Sequence, residues 1–443
     1  MKLKKVLLLV MCLALTILLS GCFMKSVSEL YSLPRQSEQY RAVQLAIEET
    51  APRGSQLLSP TEGNSVQPIQ MADFDGDGSD EIIGFVMASG EKPLKIYVFD
   101  YVDGKYINTG DAECGGRHFI RVDYAQLDGK SGDEIIISRA VAGQRSKMVD
   151  IYTFSENNLH LYLSVAYDDY LLTDLDLDGN LDLFLTNFST NTDFGTGEIY
   201  RLVGGEVSQE PSFVLTIQAG GLRKIRTGYL TTTQKAILVD GILQDGSTVT
   251  DAVFLTKDGL STLSSLNHLQ LHSTSVQGEP VFASDFDMDG VIEFPQVLPL
   301  GDAAEIPSAH QCIEWYEVDE VGQKKADGIT YHHFSGGWYL RIPNRFGTDF
   351  TIDRATSSTG TSGLTCYLGT IKSEETELFS MFSFSGAGRN IAVSEHNCFV
   401  LSSRNDTVYA ARLGNGARSL NLTQEELSAM FHFIPINWNM GES

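Results

Sequence analysis

A nine-residue acidic loop that returns along the chain constrains the fold more than any other feature. "DFDGDGSDE" begins at Asp73, "DLDLDGNLD" at Asp174 and "DFDMDGVIE" at Asp285, and the first runs straight into the apolar stretch "IIGFV". Two degenerate copies, "QLDGKSGDEIII" from Gln126 and "GYLTTTQKAILV" from Gly228, align through the same kind of apolar run. The starts at 73, 126, 174, 228 and 285 lie 53, 48, 54 and 57 residues apart, and a period near fifty marks one supersecondary unit used repeatedly. Short runs such as "KIYVFDYV", "VDIYTFS", "LDLFLTN" and "AVFLTK" are rich in Ile, Val, Leu, Phe and Tyr and are bounded by Gly, Asp and Asn turns, so they read as strands. A sheet of about four strands cannot bury both faces alone, so the units pack around a common axis as blades. The expected class is mainly β, with a β-propeller over residues 66–329.

The loops have a chemistry as well as a period. In the first, Asp73, Asp75 and Asp77 hold positions one, three and five, Gly78 holds six, Ser79 seven and Glu81 nine. The second offers Asp174, Asp176, Asp178, Asn180 and Asp182, and the third Asp285, Asp287, Asp289, Val291 and Glu293. Alternate carboxylates turn inward as the backbone curls, glycine permits the bend, position seven offers its carbonyl and position nine closes the shell, which is the oxygen-rich donor set that calcium takes. An EF-hand needs a glutamate at position twelve and flanking helices. Position twelve is Gly84, Leu185 and Gln296, and the flanks read as strands. The loops resemble instead the FG-GAP or VCBS repeats, also seen in integrin α-subunits, in which D-x-D-x-D-G-x-x-[DE] lies in a blade hairpin and holds calcium. That resemblance covers about residues 66–300 and implies structural Ca2+ at the three acidic loops. In the degenerate copies Lys130 stands where a ligand belongs and the loop at Gly228 has lost its acids, so those two blades are expected to carry no metal.

The front of the chain speaks to location. Lys2, Lys4 and Lys5 precede the apolar run from Val6 to Leu19, which fits a secretory signal better than a membrane span. Leu19-Ser20-Gly21-Cys22 follows and resembles the lipobox of bacterial lipoproteins. It implies cleavage after residue 21 and lipidation of Cys22, so the chain is expected to sit on the outer face of a cell membrane. Removing three lysines with residues 1–21 takes the formal charge from −25 to −28, which argues against nucleic acid or an anionic surface as partner. Residues 22–65 read as a tether with one short helix, for which Ser37 is a candidate cap and Tyr40, Val43, Leu45 and Ile47 an incomplete apolar face.

From Thr330 the repeat fades. "GWYLRIPNRF", "FTIDRAT", "LTCYLGT", "ELFSMFSFS", "CFVLSSRND" and "TVYAARL" read as strands, "RATSSTGTSG" as an exposed turn, and "LTQEELSAMFHFI" as a closing helix capped by Thr423 with Glu426 completing a capping box. Residues 330–443 are thus expected to form a C-terminal α+β domain, the alternative being that they supply the last blades. Cys366 and Cys398 can pair if their strands lie together, but Cys114, Cys312, Cys366 and Cys398 allow several arrangements and the sequence does not choose among them. His332-His333 before Gly336-Gly337 reads as a strand entering a turn. No nucleophile elbow, H-E-x-x-H helix or phosphate-cradling loop is present, and no catalytic residue is assigned. The whole resembles VCBS-repeat surface lipoproteins of Gram-positive bacteria. It implies a non-catalytic binding or scaffold module for a protein or glycan, with an exported polysaccharide lyase or hydrolase as the alternative.

Overall fold

A computed structural model describes residues 38–141, 143, 147–188, 194–265, 272–273, 276, 278–300, 311–356 and 362–435. Cys22, Ser37, the signal-like segment and most of "RATSSTGTSG" lie outside these residues. Two compact units emerge. One holds Gln67–Ala72, Asp80–Gly115 and the described residues up to Ser59; the other holds Pro60–Val66, Asp73–Ser79 and the described residues from Gly116 onward.

The first unit opens with α1 (Glu38–Thr50). Val43 and Ile47, one helical turn apart, are buried, whereas Leu45 points to solvent. The two buried residues pack on Ile82, Val86, Tyr97 and Phe99 of an antiparallel sheet. That sheet runs β1 (Gln56–Leu57), β3 (Glu81–Met87), β4 (Leu94–Val102), β5 (Lys105–Cys114), with β2 (Ile69–Ala72) also paired to β3.

The second unit contains five antiparallel sheets among its described residues. They are β6 (His118–Ala125) to β9 (Asn158–Tyr167) through β7 (Glu134–Ala140) and β8 (Lys147–Ser155); β10 (Asp169–Thr173), β11 (Asp182–Asn187), β12 (Phe194–Val203), β13 (Glu206–Gln209) and β14 (Phe213–Gln218); and β15 (Leu222–Tyr229), β16 (Lys235–Ile242), β17 (Thr248–Thr256), β18 (Gly259–Thr262) and β19 (His272–Ser273). The next comprises β20 (Glu293–Pro299), β21 (Gln311–Val318), β22 (Lys324–His333) and β23 (Trp338–Ile342). The last comprises β24 (Phe350–Thr356), β25 (Ser362–Leu368), β26 (Glu377–Ser385), β27 (Phe399–Arg404) and β28 (Thr407–Leu413).

The unbroken apolar runs have a simple cause. Successive strand residues face opposite sides, and here both sides meet another sheet. Leu183 and Leu185 of β11 pack with Ile136, Val149 and Ile151 of the preceding sheet, while Phe184 between them packs with Ile237, Val239 and Val253 of the following one. β16 repeats the division: Ile237 and Val239 face back, and Ala236 and Leu238 face forward onto Ile292, Phe294 and Tyr316. Face-to-face stacking of consecutive sheets is what a fifty-residue repeat with continuous strand burial requires.

The closing region departs from the sequence reading in detail. Residue 330 falls inside β22, whose partners β21 and β23 lie on either side of that boundary. Thr423 does cap a helix, accepting from the Glu426 N–H at 3.2 Å, but Glu426 turns its own carboxylate to Arg345. The helix, α3 (Gln424–Met430), is also shorter than expected. Phe431–Phe433 becomes β29 and pairs with Trp338–Leu340 of β23. Phe431 and Phe433 alternate with His432, a period of two that tertiary pairing favours over helix propensity. The "GRNIAVSEH" segment, which no sequence signal marks as a helix, forms α2 (Arg389–Glu395). Cys366 lies in the core with Cys312, and Cys398 packs in a different cluster, so the Cys366–Cys398 disulfide does not form. No helix among the described residues is long and apolar enough to cross a membrane.

Buried ion pairs brace the stacked sheets. Arg139 on β7 grips Asp150 on β8 through two guanidinium nitrogens, and Ser164 on β9 donates to the same carboxylate at 2.6 Å. Arg226 and Asp240 form a similar buried pair one strand earlier in their sheet, on β15 and β16. Arg139→Met leaves the Asp150 charge buried beside a single hydroxyl and should cost about 3–5 kcal/mol in urea denaturation, whereas adding Asp150→Asn should recover a large part. Equal losses in the single and double variants would contradict the pairing.

Candidate metal centres

The three acidic loops share one backbone conformation. Position four has positive φ in each, at Gly76 (76°), Leu177 (61°) and Met288 (68°), and so does position six, at Gly78, Gly179 and Gly290. Glycine relieves the left-handed strain at six, while Leu177 and Met288 bear it at four, because the turn is held by side chain to backbone bonds. Position one accepts from the N–H of position six: Asp73 from Gly78 at 2.9 Å, Asp174 from Gly179 and Asp285 from Gly290, both at 3.0 Å. Position three accepts from five: Asp75 from Asp77, Asp176 from Asp178, Asp287 from Asp289. Position five accepts from seven: Asp77 from Ser79, Asp178 from Asn180, Asp289 from Val291. The side chain at seven is therefore free to vary, and its backbone is the part used.

Sequence reasoning treated position nine only as a ligand. Its second role is to tie the strand start back to the loop entrance, where the N–H of position two donates to it: Leu175 to Asp182 at 3.2 Å, Phe286 to Glu293 at 2.9 Å and, in the degenerate copy, Leu127 to Glu134 at 2.7 Å.

The loops differ in what they bring together. In the third, Asp285, Asp287, Asp289 and Glu293 each place a carboxylate oxygen within 4.8 Å of the others. Asp174, Asp176 and Asp178 do so in the second, and Asp73 and Asp75 in the first. Asp182 stays apart because Arg201 donates to it at 2.9 Å and also lies 3.8 Å from Asp176. Asp77 makes the same bond to the position-seven N–H as Asp178 and Asp289 but falls outside the cluster of its loop, and Glu81 is a buried residue opening β3.

The third cluster is the most complete. Glu293 is fully buried, and its Oε1 has no hydrogen-bond partner. Burial, with the charges of Asp287, Asp285 and Asp327 adding to it, pushes the Glu293 carboxyl up to about 8. A buried acceptor with no donor, facing three more carboxylates, is a donor set completed by a hard cation. These acidic clusters can hold a metal ion.

The degenerate loops satisfy their polar groups with donors of their own. Gln126 at position one points its amide nitrogen at the carbonyls of Lys130 and Gly132, the latter at 2.9 Å. That amide offers the position-seven carbonyl, here that of Gly132, the positive pole that a bound ion would offer it. Lys130 Nζ sits 2.7 Å from Asp128, so the ammonium substitution read from the sequence is present. At Gly228 the turn closes on itself, with the Leu230 N–H donating to Gln234 O at 2.9 Å.

The loops are also chained to one another. The position-eight N–H of one repeat donates to the start of the preceding loop: Asp133 to Asp73 O at 3.0 Å, Leu181 to Gln126 O at 2.9 Å, Ile292 to Tyr229 O at 2.7 Å. At the fourth repeat Lys235 Nζ reaches Asp174 O instead, at 2.8 Å.

Beside the third loop lies a cavity of about 290 Å³ that includes His332. Burial pushes His332 down to about 3, so the ring is neutral at ordinary pH. His333 Nδ1 accepts from the Gly336 N–H at 3.0 Å, so the pair does lead into a turn.

No family model matches the chain, and no curated protein does. Solved structures resemble it coarsely. They include rhamnogalacturonan lyase YesW, 14% identical over 70% of this chain and 72% of that one with a TM-score of 0.27. A rhamnogalacturonan lyase from Bacillus licheniformis is 12% identical over 75% and 63%, with a TM-score of 0.30. The Dos1 propeller is 12% identical over 70% and 67%, with a TM-score of 0.27. Likeness at this level bears on no reaction.

The two most strongly raised carboxyls give a pH signature. Burial also lifts Glu134, to about 7. Both folded values lie above the ordinary 4.5, so the folded protein holds protons that the unfolded chain releases. In chelator that contribution is complete below about pH 4.5 and is lost as pH rises through about 7 and about 8. The urea midpoint should fall between about pH 5 and pH 9 in chelator. An ion at the third loop should reduce the part due to Glu293, and Glu134→Gln the part due to Glu134, leaving the smaller contributions of Asp133, Asp169, Asp182 and Asp327, which burial also raises. A midpoint that is flat in chelator would contradict these environments.

Proposed function

We propose that the protein is an exported lipoprotein, held at the outer face of the cell membrane through Cys22, whose FG-GAP or VCBS-like repeats use Ca2+ as a structural clamp and present a non-catalytic binding surface. The observation that carries the metal reading is the buried, unpartnered Oε1 of Glu293 among Asp285, Asp287 and Asp289. Calcium suits it because every donor is a hard oxygen and the loop is hydrogen-bonded into shape before an ion arrives. A structural role fits better than a catalytic one. The acid–base candidate near the third loop, His332, is buried and neutral, and general catalysis wants a group that titrates near the working pH.

The anchor rests on the basic start, the apolar run and Leu19-Ser20-Gly21-Cys22. A protein or a glycan is the fitting partner, an uncharged glycan more so than an anionic one, because the formal charge of −28 left after loss of residues 1–21 repels anionic polymers.

Cys22→Ala should shift the protein from the membrane fraction into the medium or leave it as unprocessed precursor. A lipid-free mature N-terminus beginning elsewhere, found by mass spectrometry, would contradict the anchor. Calcium-loaded protein incubated with soluble rhamnogalacturonan should release no unsaturated product. Sustained release at enzyme-like turnover, lost on chelation, would replace the binding reading with a lyase.

A further inference from the structure

The cavity of about 290 Å³ beside the third loop has one wall made by the loop itself, through Asp285, Phe286 and Met288. Its other surfaces come from the adjoining sheet, where the rings are already paired. Phe286 stacks on Trp315 with centroids 5.1 Å apart and planes 14° apart, and His332 stacks on Tyr339 at 5.0 Å and 9°. Phe286, Trp315, His332 and Tyr339 all line this one cavity, although His332 also stacks on Phe334 and Tyr339 on His432, and Arg341 lies over the Phe286 ring.

The charges around it are already used. Arg226, which also borders the cavity, donates to Asp240 and to the carbonyl of Ala283. Asp285 receives the N–H groups of Asp289 and Gly290, and His332 is neutral. The Thr330 hydroxyl accepts from the Trp315 indole at 2.7 Å. A charged ligand would lose its hydration without gaining a counter-charge. A flat, uncharged one would gain ring contacts.

Met288 completes the case. It borders the cavity, is 83% exposed and has a φ of 68°, a conformation costing a non-glycine residue about 1 kcal/mol or more. The same position in the first loop is Gly76 at 76°, so the turn itself works with glycine. What methionine adds is an adaptable apolar side chain at the cavity mouth.

We propose that this cavity binds a small, uncharged, ring-bearing molecule of about the size of a fused bicycle, and that its occupancy is coupled to the ion held by the Asp285 loop. The coupling rests on the metal reading above. One loop supplies both the ion's carboxylates and the cavity wall, so an ion that relieves the repulsion among Asp285, Asp287, Asp289 and Glu293 stabilises the hydrogen-bonded loop shape that forms the wall and favours the ligand, and by linkage the ligand tightens the ion.

Indole is a suitable probe, and ligand-observed NMR titration the readout. Calcium-loaded protein should bind indole saturably, and chelation should weaken binding at least fivefold. Met288→Gly should keep calcium uptake, measured by calorimetry, yet weaken indole at least fivefold. Thr227→Trp, at an exposed position on the rim, should narrow the mouth with a similar result. The anion indole-3-acetate should bind more weakly than indole. Calcium uptake without saturable indole binding overturns the cavity assignment and leaves the metal reading standing. Indole binding that is equal in calcium and chelator, or unchanged in both variants, overturns the coupled site. Absence of calcium uptake in the native protein overturns the metal reading and the coupling with it.

Discussion

The backbone bond from position eight of one loop to the start of the preceding loop is the contact on which the repeat region depends. It joins Asp133 to Asp73, Leu181 to Gln126 and Ile292 to Tyr229, and Lys235 makes the fourth link through its ammonium group to Asp174. Each loop therefore sets the position of the next, and the strand starting at position nine enters its sheet already placed. The face-to-face clusters that split β11 and β16 between two neighbours follow from that placement. A loop that lost its shape would disturb its own strand and the attachment of the next.

Carboxylate repulsion works against such a chain, and each repeat relieves it differently. Gln126 and Lys130 provide donors of their own. The loop at Gly228 has discarded its acids. In the second loop Arg201 takes Asp182 out of the cluster, which leaves a partly compensated site. The third loop has no such internal answer for Glu293. The third site should therefore bind an ion more tightly than the second, because less protein charge competes there.

Much of this was legible in the sequence, for reasons that can be named. The spacing of Asp73, Gln126, Asp174, Gly228 and Asp285 marked the repeat, and the apolar runs marked the central strands, because burial on both faces leaves no polar positions. The alternation of aspartates fixed the loop shape, and Lys130 announced its own ion pair. Other features depended on distant partners. Nothing near Asp182 reveals that Arg201, on the next strand, will claim it. Position eight carries no side-chain signal because its N–H does the bonding. "FHFI" followed a well-capped helix and was read as its continuation, yet pairing with β23 made it a strand. The position-nine acid looked like one ligand among several until its bond to position two showed that half of it is structural.

The central claim is that the acidic loops are built around cations and not merely solvated turns. Calorimetric titration of chelated protein with calcium tests it most directly. The account predicts saturable uptake, with the tightest step abolished by Asp287→Asn and retained in Asp176→Ala, and a melting temperature that rises as the sites fill. A protein that takes up no calcium and melts identically in calcium and in chelator would contradict it.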